Sequence, residues 1–182
     1  MRVIARKGMN AATIADIAEE AGIAKGTIYL YFRDRDELVE KTFETAILQL
    51  HARIDAAMES PLAFAEKLRA IIKAKFDFFQ ENREFFRLYI SLRNPEGTPQ
   101  QQRRQKRTCQ PQYRSRIEKM AAVLSQAMDA GEVRRTDPFR LALFLVEGST
   151  AIVLERINEE APPPQEEDVE LIVDVMLNGI MK

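Results

Sequence analysis

The sequence has little of the chemistry that enzymes and metal proteins use. Its 182 residues include one cysteine, one histidine and no tryptophan. The lone His51 excludes a histidine-rich metal site, and the lone Cys109 cannot form an internal disulfide, which agrees with a reducing compartment. The sequence contains no histidine–cysteine–carboxylate cluster, phosphate-binding glycine loop or nucleophile motif. We therefore expect a protein that is not an enzyme and that holds no metal or cofactor.

Long apolar runs are absent too. No run approaches the roughly 18 residues that span a bilayer, and no signal-peptide pattern comes before the first helical motif. We therefore expect a cytoplasmic protein without a membrane partner. The apolar periodicity is helical, and no alternating strand pattern occurs. This predicts an all-α fold of about nine helices, with a helix-turn-helix head at residues 1–40 and a helical-bundle body at residues 41–182.

The charge balance gives no sign of a broad surface for nucleic acid. The net charge is −1, and between Thr13 and Arg35 three basic residues stand against four acidic ones. Binding to DNA would therefore rest on a few placed contacts, doubled by symmetry, rather than on a basic surface.

The stretch from Thr13 to Phe32 has the pattern of a helix-turn-helix. Thr13 is a good N-cap, and Asp16 is placed to complete a capping box. Gly22 can end the first helix, because glycine enters the left-handed region without steric cost. A second short helix is then expected from Lys25 to Tyr31. Two short helices joined by a glycine-containing turn are typical of this motif. The first helix has one apolar face, made by Ile14, Ile17, Ala18 and Ala21.

The second helix of the motif carries the functional prediction. Its spacing points Ala24, Ile28 and Phe32 inward. Hydroxyl and ammonium groups that point outward suit phosphates and base edges in a major groove. The alternative is an ordinary helical hairpin with amphipathic tyrosines on its surface. The residues expected to point outward are Lys25, Thr27, Tyr29 and Tyr31, with Leu30 beside them.

The residues after the motif indicate a family. Asp34 and Glu37 form a second capping pattern that starts a new helix directly after Phe32. The run TIADIAEEAGIAKGTIYLYFRDRDEL resembles the N-terminal signature of the TetR/AcrR family of bacterial transcriptional regulators, closely over about residues 3 to 40. A weaker resemblance covers residues 131–142. The resemblance implies DNA contacts from Thr13, Lys25, Gly26, Thr27, Tyr29, Leu30, Tyr31 and Arg35.

Two features depart from the family pattern. Family members often have a serine cap where this chain has Ala24, and losing such a cap costs about 0.5–2 kcal/mol. The amides at that helix start would then be open to a phosphate. The family's first helix also usually begins earlier, and only Met1 to Lys7 correspond to it.

The remaining elements are predicted from caps and breakers. The helix capped by Asp34 should run to about Met58, and Ser60-Pro61 should start the next one, which ends near Gln80. A short helix capped by Asn82, a loop at residues 94–99 and a helix ended by Gly131 follow. Asp137-Pro138 should start a helix that runs to Ile157, and the last helix should cover residues 166–181.

The last two helices are apolar on more than one side, so each must be buried on two sides. The second cover is most economically another copy of the chain. We therefore expect a homodimer, with an interface at Leu145, Gly148, Ile152, Val169, Val173 and Met176.

The middle of the chain is rich in aromatic residues, among them Phe76, Phe79, Phe85, Phe86, Tyr89 and Tyr113. Together with the resemblance, this predicts a one-component regulator, and a repressor in particular. It would bind a palindromic operator and be released by a hydrophobic or aromatic small molecule. The expected pocket residues are Phe76, Phe79, Phe86, Tyr89 and Tyr113. The alternatives are simple core packing, which would make the protein a ligand-free DNA-binding adaptor, and an enzyme or carrier on a helical bundle.

Two further features leave alternatives open. Cys109 lies among arginines that could lower its pKa, as in a redox sensor, or it is an inert thiol. The basic run from Gln100 to Arg107 is either a solvated loop or helix start, or a site that attracts an anionic ligand or DNA.

Overall fold

The computed structural model describes residues 2–7, 11–83, 85 and 99–180, except for the side chains of Arg2, Ile4, Ala5, residues 99–112 and Ile180. These ranges contain eight helices and no strand, which confirms the all-α fold. The helices are α1 (Arg2–Lys7), α2 (Ile14–Ala21), α3 (Lys25–Tyr31), α4 (Arg35–Met58), α5 (Phe64–Glu81), α6 (Pro99–Asp129), α7 (Pro138–Asn158) and α8 (Gln165–Ile180).

The described residues form two compact units, and the division falls inside α4. The first unit holds the residues up to Ala52 together with Asn82, Arg83 and Phe85. The second holds Arg53–Glu81 and the residues from Pro99 onward. The boundary predicted at residue 40 is not tested by this division and stays a prediction. Most of the short helix predicted after Asn82 lies outside the described residues.

The first unit is built around a small apolar core. Ile14 and Ala18 of α2, Ile28 of α3 and Leu38 of α4 are buried together, with Ile17 and Phe32 packed against them. This cluster fixes α3 against its neighbours.

The start of α2 is held as the sequence predicts. The Asp16 N–H donates to the Thr13 hydroxyl at 3.2 Å, and the Thr13 N–H donates to the Asp16 carboxylate at 3.0 Å, which completes the capping box. The Lys7 ammonium donates to the same carboxylate at 2.8 Å. Gly22 ends the helix with φ 66, in the left-handed region.

The contacts of Asp16 make the folding stability depend on pH in the acidic range. The hydrogen bond from Lys7, followed by those from Thr13, lowers the pKa of Asp16 from 3.8 to about 2. A carboxyl whose pKa is lowered by folding stabilises the fold above its unfolded pKa, and that stability is lost as the pH falls toward the folded value. We expect Asp16→Asn to lower the melting temperature at pH 7, and the difference from wild type to shrink between pH 4 and pH 2. Glu19→Gln, at an exposed position of the same helix, is the control. A difference at pH 2 that is as large as the difference at pH 7 would contradict this assignment.

Two local predictions need correction. The Glu37 N–H does donate to Asp34, at 2.8 Å, but the Glu37 carboxylate accepts from the N–H of Arg33 at 2.6 Å rather than from Asp34. Helix α5 begins at Phe64, not at Pro61. The Ser60 hydroxyl donates back to the Ala57 carbonyl at 2.7 Å, so Ser60 closes the end of α4 instead of capping the next helix.

The second unit carries polar ties between distant helices. The Lys75 ammonium on α5 donates to the Val146 carbonyl and to the hydroxyls of Ser149 and Thr150 on α7, at 2.7–2.9 Å. Asp55, in the last turns of α4, accepts from Arg116 and Lys119 of α6. These contacts hold α5 to α7 and the end of α4 to α6.

Helix α6 begins at Pro99, the last residue of the predicted loop, and the rest of that loop lies outside the described residues. Its backbone is helical from Pro99, so the basic run from Gln100 to Arg107 lies within a helix. The side chains of that run, and of Cys109, lie outside the described residues. Gly131 follows the helix with φ 75, which confirms it as the terminator.

Helix α7 starts and ends close to the prediction. The Asp137 carboxylate accepts from the N–H groups of Phe139 and Arg140, and Pro138 occupies the first turn. The buried Arg156 donates to Asp168 and to the Pro163 carbonyl, which fixes the connection to α8.

The residues of α7 and α8 that are buried within the chain and those that are exposed differ from the prediction. Leu145, Val169, Val173 and Met176 are buried within the chain itself, so they belong to its own core, and Gly148 and Ile152 are half-buried. The spacing alone could not separate these from the other apolar positions. The residues left exposed are Leu143 and Phe144 on α7 and Leu171 and Val175 on α8, which we call the outer apolar face.

Candidate nucleic-acid interface

Helix α3 is anchored along one edge. Ile28 is buried in the core of the first unit and Phe32 is half-buried beside it. Ala24, which was expected to point inward with them, is exposed. The cause is its position as the N-cap of α3, where the backbone is extended (φ −67, ψ 140) and has left the helical path.

The opposite side of α3 is open. Leu30 and Tyr31 have 80% and 76% of their surface exposed and Tyr29 has 50%, while Lys25 and Gly26 are also exposed. Thr27 is half-buried. A Cβ placed on Gly26 would meet nothing within 4 Å, so the backbone there can be approached closely. The structure thus exposes four of the predicted outward residues, Lys25, Tyr29, Leu30 and Tyr31, and leaves Thr27 half-buried.

Residues four apart on α3 lie side by side and form pairs. The Lys25 ammonium lies over the Tyr29 ring, 5.9 Å from its centroid. Such a contact is worth about 0.5–1 kcal/mol at an exposed site and restricts the flexible lysine. The position of this charge is therefore partly set before any partner arrives. The other two pairs are Gly26 with Leu30, and Thr27 with Tyr31.

The start of α3 has no side-chain cap. Ala24 makes no capping hydrogen bond, as expected from the absence of serine there.

Arg35 does not belong to this exposed face. Its Nε donates to the Ala12 carbonyl at 2.5 Å and its Nη1 to Asp36 at 3.3 Å, while Nη2 is buried without a hydrogen-bond partner. Arg35 therefore ties the first turn of α4 to the segment before α2. Thr13 is exposed, but its backbone N–H is already bonded to Asp16. Sequence reasoning did not detect the contact of Arg35 with Ala12, because it depends on the folded arrangement, whereas the bond between Thr13 and Asp16 belongs to the predicted capping box.

Acidic residues of α2 are matched by basic residues of α1. Lys7 bonds to Asp16 at 2.8 Å, and Arg6 lies 3.8 Å from Glu20. These basic residues lie before the motif, so the charge count over the motif alone missed them. The pairs reduce the negative charge that α2 would otherwise present to a polyanion.

The residues predicted to contact an effector are less exposed than those of α3. Phe76 and Phe79 are buried in the core of the second unit, where Phe79 makes an edge contact with Phe78, 5.5 Å between ring centroids. Tyr113 is half-buried and its hydroxyl donates to Glu147 at 2.5 Å. Phe86 and Tyr89 lie outside the described residues.

Other kinds of site find no support in the described ranges. They bring no three His, Cys, Asp or Glu residues together as metal ligands. No helix among those described has the length and apolar character that a bilayer crossing needs.

An exposed short helix, anchored on one edge and set by a glycine turn against a capped partner helix, defines a helix-turn-helix protein of the all-α class. Residues 1–42 match the family model for bacterial regulatory proteins of the tetR family. Residues 1–42 therefore carry the N-terminal segment of this family.

The relatives are named as regulators. An uncharacterized HTH-type transcriptional regulator of Haemophilus influenzae is 36% identical over 81 residues, which are 44% of this chain and 43% of that protein. The uncharacterized HTH-type transcriptional regulator YhgD of Bacillus subtilis is 24% identical over 95% of this chain and 88% of its own length. The Bacillus subtilis regulator FadR in complex with stearoyl-CoA has the same fold, with a TM-score of 0.79 and 19% identity over 98% of this chain and 94% of FadR.

Proposed function

We propose that this protein is a transcriptional repressor that binds a palindromic operator as a homodimer and is released by a small hydrophobic effector. The observation that carries the DNA-binding part is the open face of α3, with Lys25, Tyr29, Leu30 and Tyr31 presented on a helix that Ile28 anchors. Hydroxyls and an ammonium on such a helix suit phosphates and base edges in a major groove.

The outer apolar face supports the homodimer. Phe144 is 64% exposed, and Leu143, Leu171 and Val175 are exposed with it. Leu171 and Val175 are four residues apart, so they lie on one side of α8. Large apolar residues left exposed on helices that contact each other are candidates for an interaction site. A two-fold dimer brings the same surface of both copies together and so presents two copies of α3 to the DNA.

The proposal of an effector is supported by the family resemblance and by one structural relative. FadR of Bacillus subtilis was crystallised with stearoyl-CoA, and its fold matches nearly the whole chain. We therefore propose an elongated apolar effector, such as a long-chain acyl compound, in the body of the protein. Phe76, Phe79 and Tyr113 are the described candidates to contact it. The burial of Phe76 and Phe79 equally suits an adaptor that needs no effector, and the experiment below separates the two.

Release of DNA by an effector requires reciprocal coupling. If an effector lowers operator affinity by some factor, the operator must lower effector affinity by the same factor, with coupling commonly of about 1–3 kcal/mol. We expect stearoyl-CoA to raise the melting temperature, since a ligand at a hundred times its Kd stabilises by about 2.7 kcal/mol. Titrating stearoyl-CoA with and without operator should then give two different affinities.

Coenzyme A alone and stearate are the matched controls, because each carries one half of the probe. Binding of stearoyl-CoA with equal affinity in both titrations would exclude the coupling. No binding of any of the three compounds would favour the ligand-free adaptor.

A further inference from the structure

Leu30 is an apolar residue of α3 that takes no part in anchoring the helix to the core. It is 80% exposed, more than either neighbouring tyrosine. Successive residues of an α-helix are about 100° apart around the axis, so Leu30 lies about 160° from the buried Ile28. Leu30 therefore forms the apex of the helix, the point farthest from the core that holds it.

The surroundings of this apex are open on one side and polar on the others. Gly26, one turn before Leu30 on the same face, has no side chain, and a Cβ there would meet nothing within 4 Å. The Lys25–Tyr29 pair lies on one flank, and Thr27 with Tyr31 lies on the other. When such a helix enters a groove, the apex goes deepest and the flanks meet the backbone.

A leucine side chain has no hydrogen-bonding atom, so it cannot recognise a phosphate or a polar base edge. The major groove presents one apolar group, which is the 5-methyl of thymine. We propose that Leu30 reads a thymine in each half-site of the operator by packing against its 5-methyl group. The proposal rests on the proposed function and adds the base that this chain selects.

The test removes the methyl group alone. An operator is first obtained by selection from random duplex DNA, and each symmetry-related pair of thymines is then replaced by deoxyuridine. At about 0.8 kcal/mol per buried methyl or methylene group, loss of one methyl in each half-site should weaken wild-type binding about fifteenfold at one symmetric position. In Leu30→Ala the same replacement should change affinity less than twofold.

Two variants serve as controls. Leu30→Met keeps an apolar side chain of similar size and should retain the thymine preference. Leu48→Ala removes a leucine that is 64% exposed on α4 and should bind both operators as wild type does. Since both leucines are exposed, melting temperatures should stay near that of wild type.

The proposal is overturned if wild type binds every deoxyuridine operator as tightly as the thymine operator. It is also overturned if Leu30→Ala keeps the same discrimination, or if the selected half-site contains no thymine. Failure to select any operator would instead overturn the proposed function, and this assignment with it.

Discussion

Phe144→Glu is expected to convert the protein from a dimer to a monomer and to abolish tight operator binding. Phe144 is the most exposed residue of the outer apolar face, and a buried, unpaired carboxylate at a dimer contact is costly. Linking two binding sites commonly raises avidity by about 10²–10⁴, so a monomer with one recognition helix should lose that factor. Light scattering after gel filtration and operator titration measure the two effects.

Two controls make the result specific. Leu48→Glu places the same charge at a residue with the same 64% exposure on α4, and it should remain dimeric. Leu145→Glu places a charge at a residue buried within the chain. It should therefore lower the melting temperature, whereas Phe144→Glu should lower only the molecular mass that light scattering measures. A wild-type protein that is monomeric at micromolar concentration would show that the argument from two-sided burial is wrong. If Phe144→Glu remained a dimer, the dimer interface would have to lie on another surface.

Substitutions in α3 should distinguish the residues that bind DNA from those that stabilise the fold. Lys25→Ala and Tyr31→Phe should each weaken operator binding at least about a hundredfold, since hydrogen bonds to charged groups are worth about 1.5–3 kcal/mol and each is lost twice in a dimer. Their melting temperatures should hardly change, because both side chains are exposed. Ile28→Ala should show the opposite pattern and lose about 2–5 kcal/mol of unfolding free energy.

Salt dependence distinguishes the two exposed side chains. If Lys25 contacts phosphate, its loss from both protomers should reduce the slope of log K against log salt by about 2, whereas Tyr31→Phe should leave the slope unchanged. Titrations at several salt concentrations, with denaturant unfolding of each variant, measure this. A melting temperature that falls with operator affinity in Lys25→Ala or Tyr31→Phe would instead assign these residues to structure.

The local features of the head could be predicted because their signals are short-range. Thr13 and Asp16 form their capping box within three residues, and Gly22 takes the left-handed conformation that its chemistry favours. The inward position of Ile28 follows from helical periodicity. The exposed position of Ala24 could not be read in this way, because periodicity applies only inside the helix and Ala24 lies at its cap.

The longer-range features had no local signal. Arg35 contacts a carbonyl 23 residues earlier, and Lys75 contacts hydroxyls more than 70 residues later, so neither partner can be inferred from neighbouring residues. The interface prediction named Leu145 and Val173, which the chain buries itself. Apolar periodicity shows that a helix has two apolar sides, but it does not show which side meets its own chain.

Selection of operator from random duplex DNA by the purified protein tests the central claim most directly. We expect enrichment of a two-fold symmetric sequence whose half-site centres are about 34–36 Å apart, one turn of B-DNA, or a multiple of that distance. It also predicts that Lys25→Ala binds the enriched sequence more weakly than wild type. Enrichment of a single half-site without symmetry, or of no sequence at all, would contradict the account.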